Sequence, residues 1–534
     1  MRLSLEHLPA DVLGLSDLAR GALAEGALGG LPVVRKLDDL ERPTDRHAPA
    51  ARQLLVADLR RGLESVELHA RARTSLEVLG NTGTFCVVTG QQPGFLCSPL
   101  YSLYKALQAC RLAHELSSSW GTPVVPLFWN HADDHDVAEV HHAYLLTRNF
   151  DVQKVVLAGL SSGRQPLSRI VLDEEEQALG ATRELLAQMQ GGQPQLAEAL
   201  ELFLPRSGEK LPRAFSRAFC ALLGEHGLLV MEPDWIRTAL SRALADVVSS
   251  DPLPALREGS GAEPAIDPET AALVYHVDQD GRRALRAGGE GFRYDGEAGS
   301  RSPAELAAEI VQDTPAWSPG ALLRPLVQDA ALPVCAYVGG YGELGYHAQL
   351  GPLRDALGLP RTPFVPRISI TLVDPELRAL LAREKVSVRT ALEAGGELRV
   401  QDESEDGQPA VIGSLRALAE DSAQGLLDLR PALAELEPAL AANLRRTADQ
   451  MRALVEKVAA KCERVHANKS GVDRRRMRRV NHTLCPRGTA QERILGPLQF
   501  CARYGPEWIE ALYAEMPAVC TEHLVVHIRE GDEA

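Results

Sequence analysis

The chain has 534 residues, a formal charge of -15, 45% hydrophobic residues and 24% charged residues. That length supports roughly three domains of ordinary size and a large core, which excludes a small stapled module. The acidic balance argues against non-specific nucleic-acid binding, and no apolar run approaches the ~20 residues of a membrane span.

Residues 1–83 read as a mostly helical segment packing on the core, with Leu-rich stretches such as Ala51 to Leu79 at helical spacing. The start, MRLSLEHLPADVLG, carries acids and Pro where a signal peptide needs an apolar run, so a cytoplasmic protein is expected. The nine cysteines contain no C-x-x-C pair, and reduced thiols account for them most simply. Asn81-Thr82-Gly83 stops the helix, and Phe85 to Val88 has the continuous apolar character of a strand buried on both faces. Gly90 and Gly94 bracket the next turn, Pro99 stands near a helix start, and Pro123 to Trp129 forms a second strand. That strand runs into His131, Asp133, Asp134, His135 and Asp136, which places polar residues at the carboxyl end of a half-Rossmann unit.

Val152 to Leu157 is β-like, Asp173 to His226 is helical, and Gly227 to Met231 is a further core strand. Pro252, Pro254 and Pro264 mark a change of character over residues 250–300, a small β-containing insertion with a hairpin signal at Asp280-Gly281. Ser302, Pro303 and Glu305 predict a capped helix start. Pro333 to Val338 is the next strand, and Gly339-Gly340-Tyr341-Gly342-Glu343 turns it into a helix whose N–H groups can meet an anion. Ile368 to Val373 is expected to close the same sheet.

The core is thus expected over residues 84–376, with a helical arm over 377–480, interrupted near Gly395 to Gly413, and a C-terminal return over 481–534. In the arm, Leu433, Leu436, Leu440, Leu444, Met451, Leu454, Val458 and Val465 follow a three/four spacing that fits a coiled-coil seam. The seam serves either a second subunit or an ordinary intramolecular hairpin. The run RRRMRR from Arg474 reads as a solvated helix end rather than a polyanion contact.

Five ordered blocks carry a resemblance: TGQQPGFLCSPLYSLYK, PLFWNHADDHDVAEVHH, RPLVQD, AYVGGYGELGYHAQL and LCPRGTAQER. Together they resemble the bacillithiol-biosynthesis cysteine-adding enzymes, the BshC family. Asp133, Ser98, Tyr341 and His141 depart from that family's usual residues. The resemblance implies an α/β, Rossmann-like (nucleotidyltransferase-like) core with connecting insertions and a dimerising coiled-coil arm. It also implies a ligase joining cysteine to the amino group of glucosaminyl-malate. A nucleotidyltransferase-like enzyme and a non-catalytic dimeric scaffold are the competing classes.

A carboxylate is a poor electrophile, so a ligase needs activation. ATP is the expected cosubstrate, with Mg2+ optional and no tightly bound cofactor. The site must then stabilise negative charge and take a proton from the amine. His135, flanked by Asp134 and Asp136, is the first candidate base. Metal binding through the same run and a purely structural loop remain open alternatives. Thr89, Gln91, Gln92, Gly94, Tyr101, Lys105, Asp133, His142, Arg324, Gln328 and Asp329 are expected to bind substrate. Lys105 has a surface lysine as its bland alternative, and Arg324, Gln328 and Asp329 a structural ion pair. Gly339, Gly340, Gly342, Glu343, Gln491 and Arg493 are expected around the nucleotide, with a helix-start salt bridge as the alternative for Gln491 and Arg493. No metal ligand is assigned.

Overall fold

The structure is a computed structural model that describes residues 1–160, 163–172, 175–261, 263–289, 291–297, 299–398, 410–436 and 438–529. The strands that build the core and its site are β1 (Arg2–Leu8), β2 (Phe85–Gln91), β3 (Val124–Asn130), β4 (His142–Leu146), β5 (Val152–Val156), β6 (Leu229–Met231) and β7 (Val274–Asp278). They continue with β8 (Gly281–Gly288), β9 (Gly291–Tyr294), β10 (Trp317–Pro319), β11 (Val334–Gly339), β12 (Phe364–Pro366), β13 (Ser369–Val373) and β14 (His523–Arg529).

Five strands form the central sheet in the order β12-β11-β2-β3-β6, all parallel. Alternation along β2 feeds two cores. Phe85 and Val87 pack with Leu112 and Leu116 of α1 (Leu100–Trp120), whereas Cys86 and Val88 join the larger cluster on the other face. Burial on both faces explains why these strands are continuously apolar. The chain adds β3 on one side of β2 and returns much later to add β11 on the other. The crevice between β2 and β11 is therefore a topological switch point, the place where open α/β sheets bind ligands.

The insertion folds as an antiparallel sheet in the order β9-β8-β7-β10, with Gly281 paired to Asp278 across a two-residue turn. Ser302 and Glu305 form the expected capping box. His142 to Leu146 and Val152 to Val156 make a separate two-stranded hairpin.

Ile368 to Val373 does not close the central sheet. The fifth strand is Phe364–Pro366, and β13 instead lies in a second sheet of order β1-β14-β13. The pairing with β11 runs on to Arg367 N, which donates to Gly339 O at 2.8 Å, and beyond it the Gln108 side chain holds the strand, donating to Pro366 O at 3.1 Å and accepting from Ile368 N at 2.8 Å. The N-terminal segment is also not helical at its start, because Arg2–Leu8 pairs antiparallel with β14.

The arm is a helical hairpin of α2 (Ala410–Asp428) on α3 (Pro438–Leu484), joined by a short helix, Arg430–Leu436. Its buried seam comprises Ile412, Ala419 and Ala423 against Ala448 and Ala459. Leu454 and Val458, expected in the seam, are 66% and 50% exposed. The side chains of Leu436, Leu440 and Val465, and the interruption over 399–409, lie outside the described residues. Arg476, Arg478 and Arg479 fasten the base of the arm through ion pairs to Glu384, Asp151 and Glu376 at 3.5, 3.4 and 2.6 Å. Among the described residues no helix is long and apolar enough to cross a membrane.

Candidate functional site

At the switch point lies a cavity of about 480 Å³. Gly90, Gln91, Gln92 and His131 line it from the ends of β2 and β3, and Tyr101 and Lys105 from α1. Gly340, Gly342, Glu343 and Tyr346 enter from the helix after β11, and Tyr275 and Arg282 from the inserted sheet. A Cβ at Gly90 would stand 2.8 Å from Trp129 O and 3.1 Å from His131 Nε2, so the bare backbone is what leaves the cavity floor open.

Lys105 and Glu343 are the charge centre. Lys105 Nζ lies 2.6 Å from Glu343 Oε2 and donates to Gly90 O at 3.0 Å and to Gln91 Oε1 at 3.3 Å. Glu343 also accepts from Gly340 N and Tyr337 OH, both at 2.7 Å. Burial would raise the Glu343 carboxyl, but the Lys105 ammonium together with the Gly340 N–H and Tyr337 hydroxyl bonds holds it well below the usual carboxylate range. Burial in turn pulls Lys105 below the usual lysine range, against the pull of Glu343.

Arg324 sits in the same wall, 7% exposed, donating to Gln328 Oε1 and Tyr346 OH at 3.1 Å each. Among the described residues it has no carboxylate partner, an unusual state for a buried guanidinium and one that suits an anionic ligand. His131 is kept neutral, its pKa pushed down to about 3 by burial and then by the Arg324 charge.

The Asp133–Asp136 run is split among tasks. Asp133 faces Arg237 at 3.5 Å, and Asp136 caps Val137–Val140 by accepting from Glu139 N at 3.3 Å. Asp134 Oδ2 accepts from Gln92 at 2.7 Å, while its Oδ1 lies 3.4 Å from both His135 Nδ1 and Arg282 Nη1. Burial opposes ionisation of Asp134, yet His135, Arg282 and Gln92 together hold its carboxyl far below the ordinary range. Neither His135 nor Asp136 is among the residues that line the cavity; His135 sits beside two that do, with Arg282 Nη1 3.3 Å from its Nδ1 and Asp134 Oδ1 at 3.4 Å. Arg282 lies 3.7 Å over the Tyr275 ring, which fixes the guanidinium plane. Among the described residues, the His, Cys, Asp and Glu donor atoms gathered within 4.8 Å of one another belong to His7, Cys520 and Glu522, not to this run.

Of the expected site residues, Gln91, Gln92, Tyr101, Lys105, Asp133, Asp134, Arg324, Gly340, Gly342, Glu343 and Arg493 line this cavity. Gly94 and His142 line a neighbouring one. Four others turn their side chains to internal bonds. Thr89 Oγ1 donates to Val338 O, Gln328 holds Arg324 and Asp329, Asp329 pairs with Arg354 at 2.6 Å, and Gln491 bonds Leu372 and Thr483. Gly339 leaves room for the Phe364 ring, which a Cβ would meet at 2.6 Å.

Arg282, Tyr275, Arg367 and Tyr346 are cavity residues that the sequence did not single out. The first two arrive from the insertion, and no local spacing ties them to the core. Tyr346 lies inside a recognised block, three residues after Glu343, and the helical i,i+3 relation is the signal that could have found it.

Comparison with known proteins decides the family. Residues 35–368 match the model described as "Bacillithiol biosynthesis BshC, N-terminal Rossmann-like domain", and residues 370–528 match the "C-terminal coiled-coil domain" of the same family. The chain belongs to the BshC family. A Salinibacter ruber protein named "Putative cysteine ligase BshC" is 30% identical over 491 residues, covering 90% of this chain and 89% of that one. Proteins of the same name from Koribacter versatilis and Geobacillus thermodenitrificans are 28% and 30% identical, covering 86% of this chain and 88% and 87% of their own. BshC membership thus places the chain among enzymes named as ligases, with a Rossmann-like core and a coiled-coil domain.

Proposed function

We propose that this BshC protein joins cysteine to the amino group of glucosaminyl-malate in bacillithiol biosynthesis, with ATP activating the cysteine carboxyl. The observation that carries the reading is the cationic cavity at the switch point. Lys105, Arg282 and Arg324 gather there beside the glycine turn that opens the helix after β11. Such a wall suits phosphates and an activated carboxyl, and its fixed charges need no reorganisation as negative charge develops.

In this reading His135 is the base. With the Nδ1–H turned to Asp134 Oδ1 at 3.4 Å, in place of the Arg282 contact at 3.3 Å, the Nε2 lone pair is left to take a proton from the incoming ammonium group. Arg324 and Lys105 hold the anionic oxygens, and the neutral His131 contributes a hydrogen bond without adding charge. Support for a homodimer comes from the arm, where Leu418, Leu454 and Val458 stay exposed beside an already filled seam.

The test is incubation of purified protein with cysteine, glucosaminyl-malate and Mg-ATP, followed by mass spectrometry for the condensed thiol. Product is expected, and His135→Ala should slow its formation by about 10²-fold or more. Equal rates in the two proteins would remove His135 from the role of base. Pyrophosphate release that needs no cysteine would instead favour a nucleotidyltransferase.

A further inference from the structure

A second cavity of about 440 Å³ adjoins the first, and Gln91, Gln92, Tyr101 and Arg493 line both. Its far side is built by Glu139, His142 and Tyr144. Strand alternation sends Ala143 and Leu145 into the core, which leaves His142 and Tyr144 together on the other face of β4. Arg487 fixes Tyr144, donating to its hydroxyl at 2.5 Å with the guanidinium 4.7 Å from the ring centre.

The two cavities differ in charge. The first sets Lys105, Arg282, Arg324, Arg367 and Arg493 against Asp133, Asp134 and Glu343. In the second, Arg493 on the shared wall is the lone cation among the lining residues, and the Glu139 carboxylate makes no ion pair among the described residues. His142 Nδ1 is buried without a hydrogen-bond partner. An unsatisfied ring nitrogen is costly, and turning the ring toward a ligand hydroxyl would relieve it. Aromatic rings, amide groups, one free carboxylate and the shared Arg493 are the chemistry that binds a hydroxyl-rich compound with a carboxylate rather than a polyphosphate.

We propose that this second cavity is the acceptor subsite and takes a polyhydroxylated primary amine, with Glu139, His142 and Tyr144 meeting its hydroxyls, Arg493 its carboxylate, and its amine turned to the shared wall. The assignment rests on the ligase reading and locates the acceptor within it. The activated cysteine then occupies the cationic cavity, and the amine approaches it across Gln91, Gln92 and Tyr101. Binding alone is assigned here, and the proton is handled elsewhere.

Hydroxylamine is a small amine that needs no acceptor lobe, so cysteine hydroxamate formation with Mg-ATP reads activation apart from acceptor binding. In full-length Glu139→Gln and Ala138→Trp proteins, the ratio of kcat/KM for glucosaminyl-malate to that for hydroxylamine should fall at least tenfold, mainly through the KM of the acceptor. An unchanged ratio in both variants overturns the subsite. If the unaltered protein forms neither hydroxamate nor condensed product, the ligase reading is what fails. Titration calorimetry with glucosaminyl-malate then judges the cavity alone. Binding that weakens at least tenfold in Ala138→Trp supports it, and equal or undetectable binding in both proteins overturns it.

Discussion

Lys105 and Glu343 stand 2.6 Å apart although 238 positions separate them in the chain. Each belongs to the helix that follows one of two neighbouring strands, so their contact closes the crevice where the strand order reverses. The Lys105 side chain is 3% exposed and that of Glu343 is 21% exposed, which makes this a desolvated pair. Removing one partner strands the other charge. Glu343→Gln should destabilise the protein by about 3–5 kcal/mol in denaturant titrations. The double change Lys105→Met with Glu343→Leu should recover much of that stability but not the activity.

Arg324 and Arg354 provide a contrast between two buried guanidinium groups. Arg354 is paired with Asp329 at 2.6 Å, and Arg354→Met should cost about 3–5 kcal/mol of stability. Arg324 has no carboxylate partner among the described residues. Arg324→Met should therefore leave the melting temperature nearly unchanged while raising the KM for the anionic substrate about tenfold or more, since a hydrogen bond to a charged group contributes roughly 1.5–3 kcal/mol. Thermal melts and steady-state kinetics on the two variants separate the roles.

His523 gives a pH dependence with a definite sign. It is 1% exposed and bonded to Ser369 and Thr371, and burial lowers its pKa from 6.5 to about 4. Between those values the unfolded chain binds a proton that the folded chain refuses. The contribution is fully present above about pH 6.5 and is lost as pH falls toward about 4, by no more than roughly 3 kcal/mol. Urea titrations at pH 7 and 5 should show a smaller loss for His523→Gln than for the unaltered protein.

The parallel strands were legible because double burial writes them as unbroken apolar runs, and Phe85 to Val88 is such a run. Ser302, Pro303 and Glu305 were legible because a capping box is local chemistry. The exchange of Ile368 to Val373 for Phe364–Pro366 was not, because it depends on Gln108, some 260 positions away, replacing a ladder neighbour. In the site, the glycine turn and the Asp133–Asp136 run were visible as motifs. The Arg282 contribution was not, since a neighbouring sheet delivers it. Thr89, Gln328 and Gln491 have the residue types of ligands, yet the fold uses them as internal hydrogen-bond partners.

The arm is testable by hydrodynamics. Its hairpin already buries Ala419, Ala423, Ala448 and Ala459, so the exposed Leu454 and Val458 are surplus to the intramolecular seam. Leu454→Glu with Val458→Glu should shift sedimentation velocity from dimer to monomer while leaving helix content unchanged. A monomeric unaltered protein would remove the dimer from the account.

The most direct measurement is the rate of condensed thiol formation from cysteine, glucosaminyl-malate and Mg-ATP, followed by mass spectrometry in the unaltered, Arg324→Met and Lys105→Met proteins. The account predicts product with the unaltered chain and a loss of about tenfold or more in kcat/KM when either cation is removed from the cavity. Equal rates in all three folded proteins would contradict it and place the chemistry away from the crevice that Lys105 and Glu343 close.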